Sequence, residues 1–230
     1  MSKSLRFFYI SLMFGCLSAS AKAQNVTHTP YSFYGLGEPH QRVFTQQRTM
    51  GGAGFAHAAS GALNPQNPAT YASVEFPVFQ ADYFFEYWKI NSGTSSITPR
   101  SSYLNGGAFS VPLGKRMGAA FSLTPYTRMG YLITSPGNTP GVGDYSLNYE
   151  GNGGLNVFAG GLGGIPLKTD KHELSLGANF LYYFGFVTHV RDVYQFTSDA
   201  TMTNATTISK TNMRDPGVEL AVRYAYKFGT

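Results

Sequence analysis

From Phe76 onward the chain alternates aromatic or aliphatic residues with polar ones, in runs longer than ten residues. A period of two sends successive side chains to opposite faces of a β-strand. Leu174, Leu176, Ala178, Phe180, Tyr182, Phe184 and Phe186 alternate with Glu173, Ser175, Gly177, Asn179 and Tyr183. Val218, Leu220, Val222, Tyr224, Tyr226 and Phe228 alternate with Glu219, Ala221, Arg223 and Lys227. Strands of a soluble sandwich usually run about five or six residues, half the length of these runs. No apolar run beyond the first 23 residues approaches the roughly 20 of a membrane helix. Charged residues are 13% and aromatic residues 15%, where a soluble domain carries about 25% charge. Few charges, many aromatics and long alternation fit a membrane β-barrel, with polar residues toward a lumen and apolar ones toward lipid.

Six runs are present: Phe76 to Ile90, Ser101 to Val111, Arg116 to Gly130, Tyr145 to Leu162, a fifth from His172, and Gly217 to Phe228. In the first, Phe79, Ala81, Tyr83, Phe85 and Tyr87 share one face. Gln80, Asp82 and Glu86 share the other with Phe84 and Trp88. A face carrying Asp82 and Glu86 belongs to the lumen. Pro112 to Lys115 is a tight connection, while Tyr131 to Asp144 and Val190 to Pro216 are long and polar. Outer-membrane barrels have short periplasmic turns and long outer loops. The first strand is therefore expected to run outward, from an N-terminus in the periplasm. Six strands do not close a barrel, whose smallest single-chain case has about eight. The expectation is the first part of a longer protein, or a wall completed by other chains.

Residues 1–23 read as a secretory leader. Lys3 and Arg6 give the positive start, Phe7 to Gly15 the apolar core, and Ala21-Lys22-Ala23 the small-residue cleavage site. A lipoprotein leader cut before Cys16 is the weaker reading, because Phe14 fits poorly there. Cleavage after Ala23 removes the only cysteine, leaving neither a disulfide framework nor a thiol metal site. It also removes three of the 17 basic residues. No basic cluster remains to argue for nucleic acid.

Residues 24–73 precede the alternation. Within them Arg48 to Tyr71 reads RTMGGAGFAHAASGALNPQNPATY. Glycine and alanine allow close backbone approach. In Asn64-Pro65 and Asn67-Pro68 each proline fixes its own φ and restrains its predecessor. A plug packed in the lumen and a mobile arm with turns both fit, the plug better. Pro125 interrupts the third run with a residue that has no N–H. Either it makes a bulge or gap in the wall, or the strand ends at Thr124.

Gly51-Gly52-Ala53-Gly54, Asn67-Pro68-Ala69, Val111 to Gly118, Leu123-Thr124-Pro125-Tyr126 and Gly151 to Leu155 occur in an order similar to that of the FadL/TodX-type outer-membrane transport proteins. The resemblance implies an all-β antiparallel transmembrane barrel with an N-terminal plug, of which residues 74–230 supply about six of 14 strands. It implies passive uptake of hydrophobic molecules such as long-chain fatty acids across the outer membrane. The expected partners are outer-membrane lipid, an apolar ligand and the barrel-assembly machinery that inserts such proteins. Asn67, Pro68 and Ala69 become candidate gate elements and Pro125 the edge of a lateral opening. Phe84 and Trp88 are candidate lumen contacts, with packing in an aromatic girdle at least as good a reading.

Chemistry is not expected. The five histidines show no metal-ligand spacing, and no nucleophile elbow or phosphate loop is present. Asp82 and Glu86, four residues apart on a strand, stand about 13 Å apart. Neither an enzyme nor a bound cofactor is expected. Two further readings remain: a barrel of the same fold docking or scaffolding a protein secretion system, and a secreted β-sandwich adhesin.

Overall fold

The computed structural model describes residues 30–52, 54–87, 89–93, 95–98, 100–140, 143–195 and 205–228. The leader, its cleavage site, Ala53 and Trp88 lie outside the described residues. The strands are β1 (Glu38–Pro39), β2 (Val78–Tyr87), β3 (Ile90–Ser92), β4 (Ser95–Ile97), β5 (Arg100–Pro112), β6 (Met117–Thr139), β7 (Gly143–Lys168), β8 (His172–Gln195) and β9 (Ala205–Tyr226). Among the described residues, one short helix, α1 (Thr45–Thr49), and 3-10 turns at Pro30–Phe33, Gly54–Ala56 and Pro68–Ser73 make up the remaining helical structure.

The fold is all-β and antiparallel. The main sheet has the order β2-β5-β6-β7-β8-β9, so each long strand pairs with its sequence neighbours, and β1 joins it against β6. Strands β2 and β9 are its two edges, and the sheet does not close. Each of the six alternating runs lies on one of these six strands.

The two faces separate as the alternation dictates. Phe79, Phe85, Leu104, Phe121, Leu162, Phe180, Leu220 and Val222 are exposed on the outer face. Together they form the apolar band of a membrane wall. Tyr103, Ala108, Ser122, Val157, Ser175 and Asn179 are buried on the inner face.

The long connections expected at Tyr131 to Asp144 and Val190 to Pro216 are mostly strand. β6 to β9 run 23, 26, 24 and 22 residues, where a tilted membrane strand needs about 9–11. Pairing continues up to Thr139↔Gly143 and Val193↔Ala205. Ser, Thr and Asn read as loop composition, yet two such segments can satisfy each other's backbone by pairing. The result is a four-stranded extension beyond the apolar band.

Band and extension meet along one line of irregularity. The β2–β5 register shifts so that Asp82 faces Gly106 and Tyr83 faces Leu104, leaving Asn105 as the extra residue. The β6–β7 register shifts between Pro125 and Thr127, leaving Tyr126 as the extra residue. On β7, Gly153 has φ 123°, and a Cβ there would stand 2.2 Å from the Phe186 carbonyl oxygen. Bulges bend a sheet and re-aim its side chains. Strand β6 thus continues through Pro125 with a bulge, and does not end at Thr124.

At this line the wall divides. β5 and β6 pair from Pro112↔Gly118 to Gly107↔Leu123 and no further. Above Leu123 the free edge of β6 takes β1 instead, with Glu38 opposite Arg128 and Pro39 opposite Thr127.

Candidate functional site

The inner face is occupied by residues 30–73, and their seat is the candidate site. Asn67 caps the Pro68–Ser73 turn: its Oδ1 accepts from the Ala69 N–H at 3.0 Å and its Nδ2 donates to the Phe55 carbonyl at 3.0 Å. Proline follows at the first helical position, where its missing N–H costs nothing. Asn64 donates to the Gly54 and Phe55 carbonyls. Asn67, Pro68 and Ala69 are all buried. The two Asn-Pro pairs therefore build a fixed element on the wall.

That element rests on one rung of glycine. Gly118 pairs with Gly163, and Gly163 with Gly177. A Cβ on Gly118 would stand 2.1 Å from the Tyr71 carbonyl oxygen, on Gly163 2.3 Å from that of Pro68, and on Gly177 2.2 Å from the Pro68 carbonyl carbon. Three strands lack side chains where the turn's backbone touches them. Tyr71 then packs with Phe44 and Leu63 against Ala108 and Ala120. Burial pushes the Tyr71 hydroxyl up to about 12, more than the neighbouring Asn179 lowers it.

Polar contacts tie the segment to the other strands. The Thr45 N–H donates to Asp82 and the Leu63 N–H to Gln80, both on β2. Asn105 on β5 bonds His40 and donates to the Val43 carbonyl. Arg42 pairs with Glu219 on β9 at 2.6 Å, and Asn179 donates to the same carboxylate. Arg223 pairs with Glu173 at 2.9 Å and donates to the Ala56 carbonyl.

Where the wall divides there is a cavity of about 420 Å³, lined by Glu38, His40, Arg48, Glu86, Tyr103 and Arg128 among others. The Arg48 guanidinium lies over the Phe84 ring at 4.2 Å, and that of Arg128 over Tyr103 at 3.5 Å. Phe84 thus sits on the inner face beneath an arginine, with Tyr103 tilted beside it at 5.9 Å. Burial, helped by the two arginines, lowers the His40 pKa against the Asn105 hydrogen bond, which raises it. A second cavity of about 450 Å³ lies at the opposite end, lined by Ser60, Glu75, Lys115, Lys168, Glu173 and Arg223 among others. Both cavities carry charged groups of both signs. Among the described residues no group of three or more His, Cys, Asp or Glu could hold a metal ion.

Of the candidate residues, Asn67, Pro68 and Ala69 share the seat, Pro125 stands at the bulge, and Phe84 lies in the divided wall. The glycine rung, Arg42 and Arg48 were outside the sequence expectations. Gly118 and Gly177 sit at lumen-facing positions of alternating runs, the one signal that pointed to them, whereas Gly163 lies just past the fourth run and only the structure places it on β7.

An open antiparallel sheet with an apolar outer band, a filled inner face and a polar extension defines part of the wall of a membrane β-barrel. The chain belongs to the BamG family, whose model matches residues 1–230. No curated protein and no solved structure matches the chain. The family is named for barrel-assembly machinery and associates the chain with that machinery and with the outer membrane. This corrects the FadL/TodX-type resemblance and, with it, the reading as a fatty-acid channel. In this chain the motifs that carried the resemblance serve packing: Asn67 caps the turn seated on the wall, and Pro125 stands at the β6 bulge.

Proposed function

We propose that the protein is a non-catalytic scaffold of outer-membrane barrel assembly, a plugged wall that presents its extension to partner proteins of the machinery. Membership of the BamG family carries this reading. The seat supports it: residues 30–73 are fixed by backbone contact, hydrogen bonds and ion pairs to six strands, as suits a rigid support. The scaffold part of the earlier docking expectation is kept, and its secretion system is replaced by barrel assembly. Cells depleted of the full-length protein are expected to lose other β-barrel proteins from the outer membrane. Normal barrel levels after depletion would reject the proposal.

The same reading includes an orientation. The tight connections at 113–116 and 169–171 lie at one end of the sheet and the extension at the other. Ser32 accepts from the Gly130 N–H, and Phe33 packs edge-on against Tyr131, so residues 30–33 lie on the extension side of Pro125. With the tight turns periplasmic, we place residues 30–35 on the outer side, in contrast to the periplasmic expectation for the N-terminus. An epitope inserted after the exposed Gly35 is expected to be accessible to antibody on intact cells. Accessibility only after outer-membrane permeabilisation would reverse the orientation.

A further inference from the structure

We propose that Arg48 and Arg128 bind a phosphate group in the cleft where the wall divides between β5 and β6. Three other cations of the seat and wall are held by carboxylates. Arg42 meets Glu219 at 2.6 Å, and Arg223 and Lys168 meet Glu173 at 2.9 and 3.4 Å. The two arginines of the cleft differ. Arg48 reaches a Glu86 oxygen only at 3.9 Å, and that oxygen already accepts from the Tyr103 hydroxyl at 2.6 Å. Arg128 takes part in no ion pair among the described residues; it donates to the Leu104 carbonyl at 3.1 Å and stacks on Tyr103. Two aromatic faces thus hold two like charges at one cavity of about 420 Å³. Like charges in a partly desolvated site repel, and an anion between them relieves the repulsion.

The arginines approach from different elements, one from α1 and the other from β6. A carboxylate offers two oxygens in one plane and suits a single fork, whereas a tetrahedral phosphate can accept from two forks at once. Two carboxylates also line the cleft: Glu86, which accepts from Tyr103, and Glu38, which stands opposite Arg128 across β1 and β6. Charges of both signs suit a phosphate that carries an ammonium next to it, as in a phosphoethanolamine head. The cleft lies on the inner face, level with Tyr83 and Leu104, which pair across β2 and β5 and point outward in the apolar band.

The test uses the delipidated full-length protein in detergent. Phosphatidylethanolamine is titrated by native mass spectrometry and inorganic phosphate by equilibrium dialysis. The wild type is expected to bind one lipid saturably. The Arg48→Gln/Arg128→Gln double variant should bind about tenfold or more weakly, because two charge-assisted hydrogen-bonding groups are lost. Saturable binding of inorganic phosphate alone, with the same loss in the variant, keeps the site and assigns it to free phosphate. Heat-modifiable gel mobility reports whether the variants are folded. Should the double variant not fold, the single variants Arg48→Gln and Arg128→Gln each remove one charge-assisted group and carry the same comparison. Binding of neither ligand by the wild type, or equal binding by wild type and folded variant, overturns the proposal.

Discussion

Gly163→Ala is expected to destabilise the protein while Gly164→Ala, one residue further on, leaves it intact. The added methyl at Gly163 would stand 2.3 Å from the Pro68 carbonyl oxygen, 3.0 Å from the Tyr71 Cβ and 3.2 Å from the Ala72 nitrogen. Two of these are backbone atoms of a turn that Asn67 caps and the wall holds, so no side chain can swing aside. At Gly164 the nearest atom is the Arg116 carbonyl oxygen at 3.8 Å, an ordinary contact. Overpacking of a closed site costs about 1–3 kcal/mol, occasionally more. Replacing an unstrained glycine by alanine gains about 0.4–1 kcal/mol by restricting the unfolded chain. The variants should therefore move in opposite directions in urea-dependent folding into vesicles. Limited proteolysis should cut residues 30–73 of Gly163→Ala first, because the seat fails before the strands. Equal stability of the two variants would show that the Pro68–Ser73 turn does not rest on this rung.

Much of the wall was legible in the sequence. Alternation gave the six strands and their facing, because a period of two leaves one choice of face once Asp82 and Glu86 exclude lipid. The extension was not legible. Its strands have the composition of loops, and their pairing is a property of two segments together that neither shows alone. Pro125 reads as a local interruption, while the Asp82/Tyr83 register shift and Gly153 lie on other strands. Only the register between strands shows that they lie along one line and that the wall divides there. The seat was half legible: Asn67 and Pro68 announced a fixed turn, but the glycines that receive it are far away in sequence. The identity was misread because the motifs report how this wall holds its N-terminal segment, and a fold-level pattern does not fix function.

Arginine placed at Val222 or Phe180 is expected to cost about 2–4 kcal/mol, the penalty of a guanidinium on the lipid face near the bilayer midplane. Val222 is 67% exposed and Phe180 54%, and both lie among apolar neighbours on the outer face. The facing assignment alone would suggest Asn179 and Ala221 as tolerant controls. The seat removes both. Asn179 is buried beside Tyr71 and donates to Glu219. Ala221 extends the glycine rung by pairing with Gly177. Arginine there would fail by crowding, a different cause with the same sign. The informative control is Thr211→Arg, on the same strand but in the polar extension, where residues 205–212 are exposed. A surface change of that kind stays within about 0.5 kcal/mol. Folding into vesicles, read by heat-modifiable mobility across a urea series, should separate Val222→Arg from Thr211→Arg by most of the lipid penalty. If the two cost the same, the boundary drawn between band and extension is wrong. A gap that vanishes when both fold equally well in water without detergent would mean that the outer face meets protein or solvent, and never lipid.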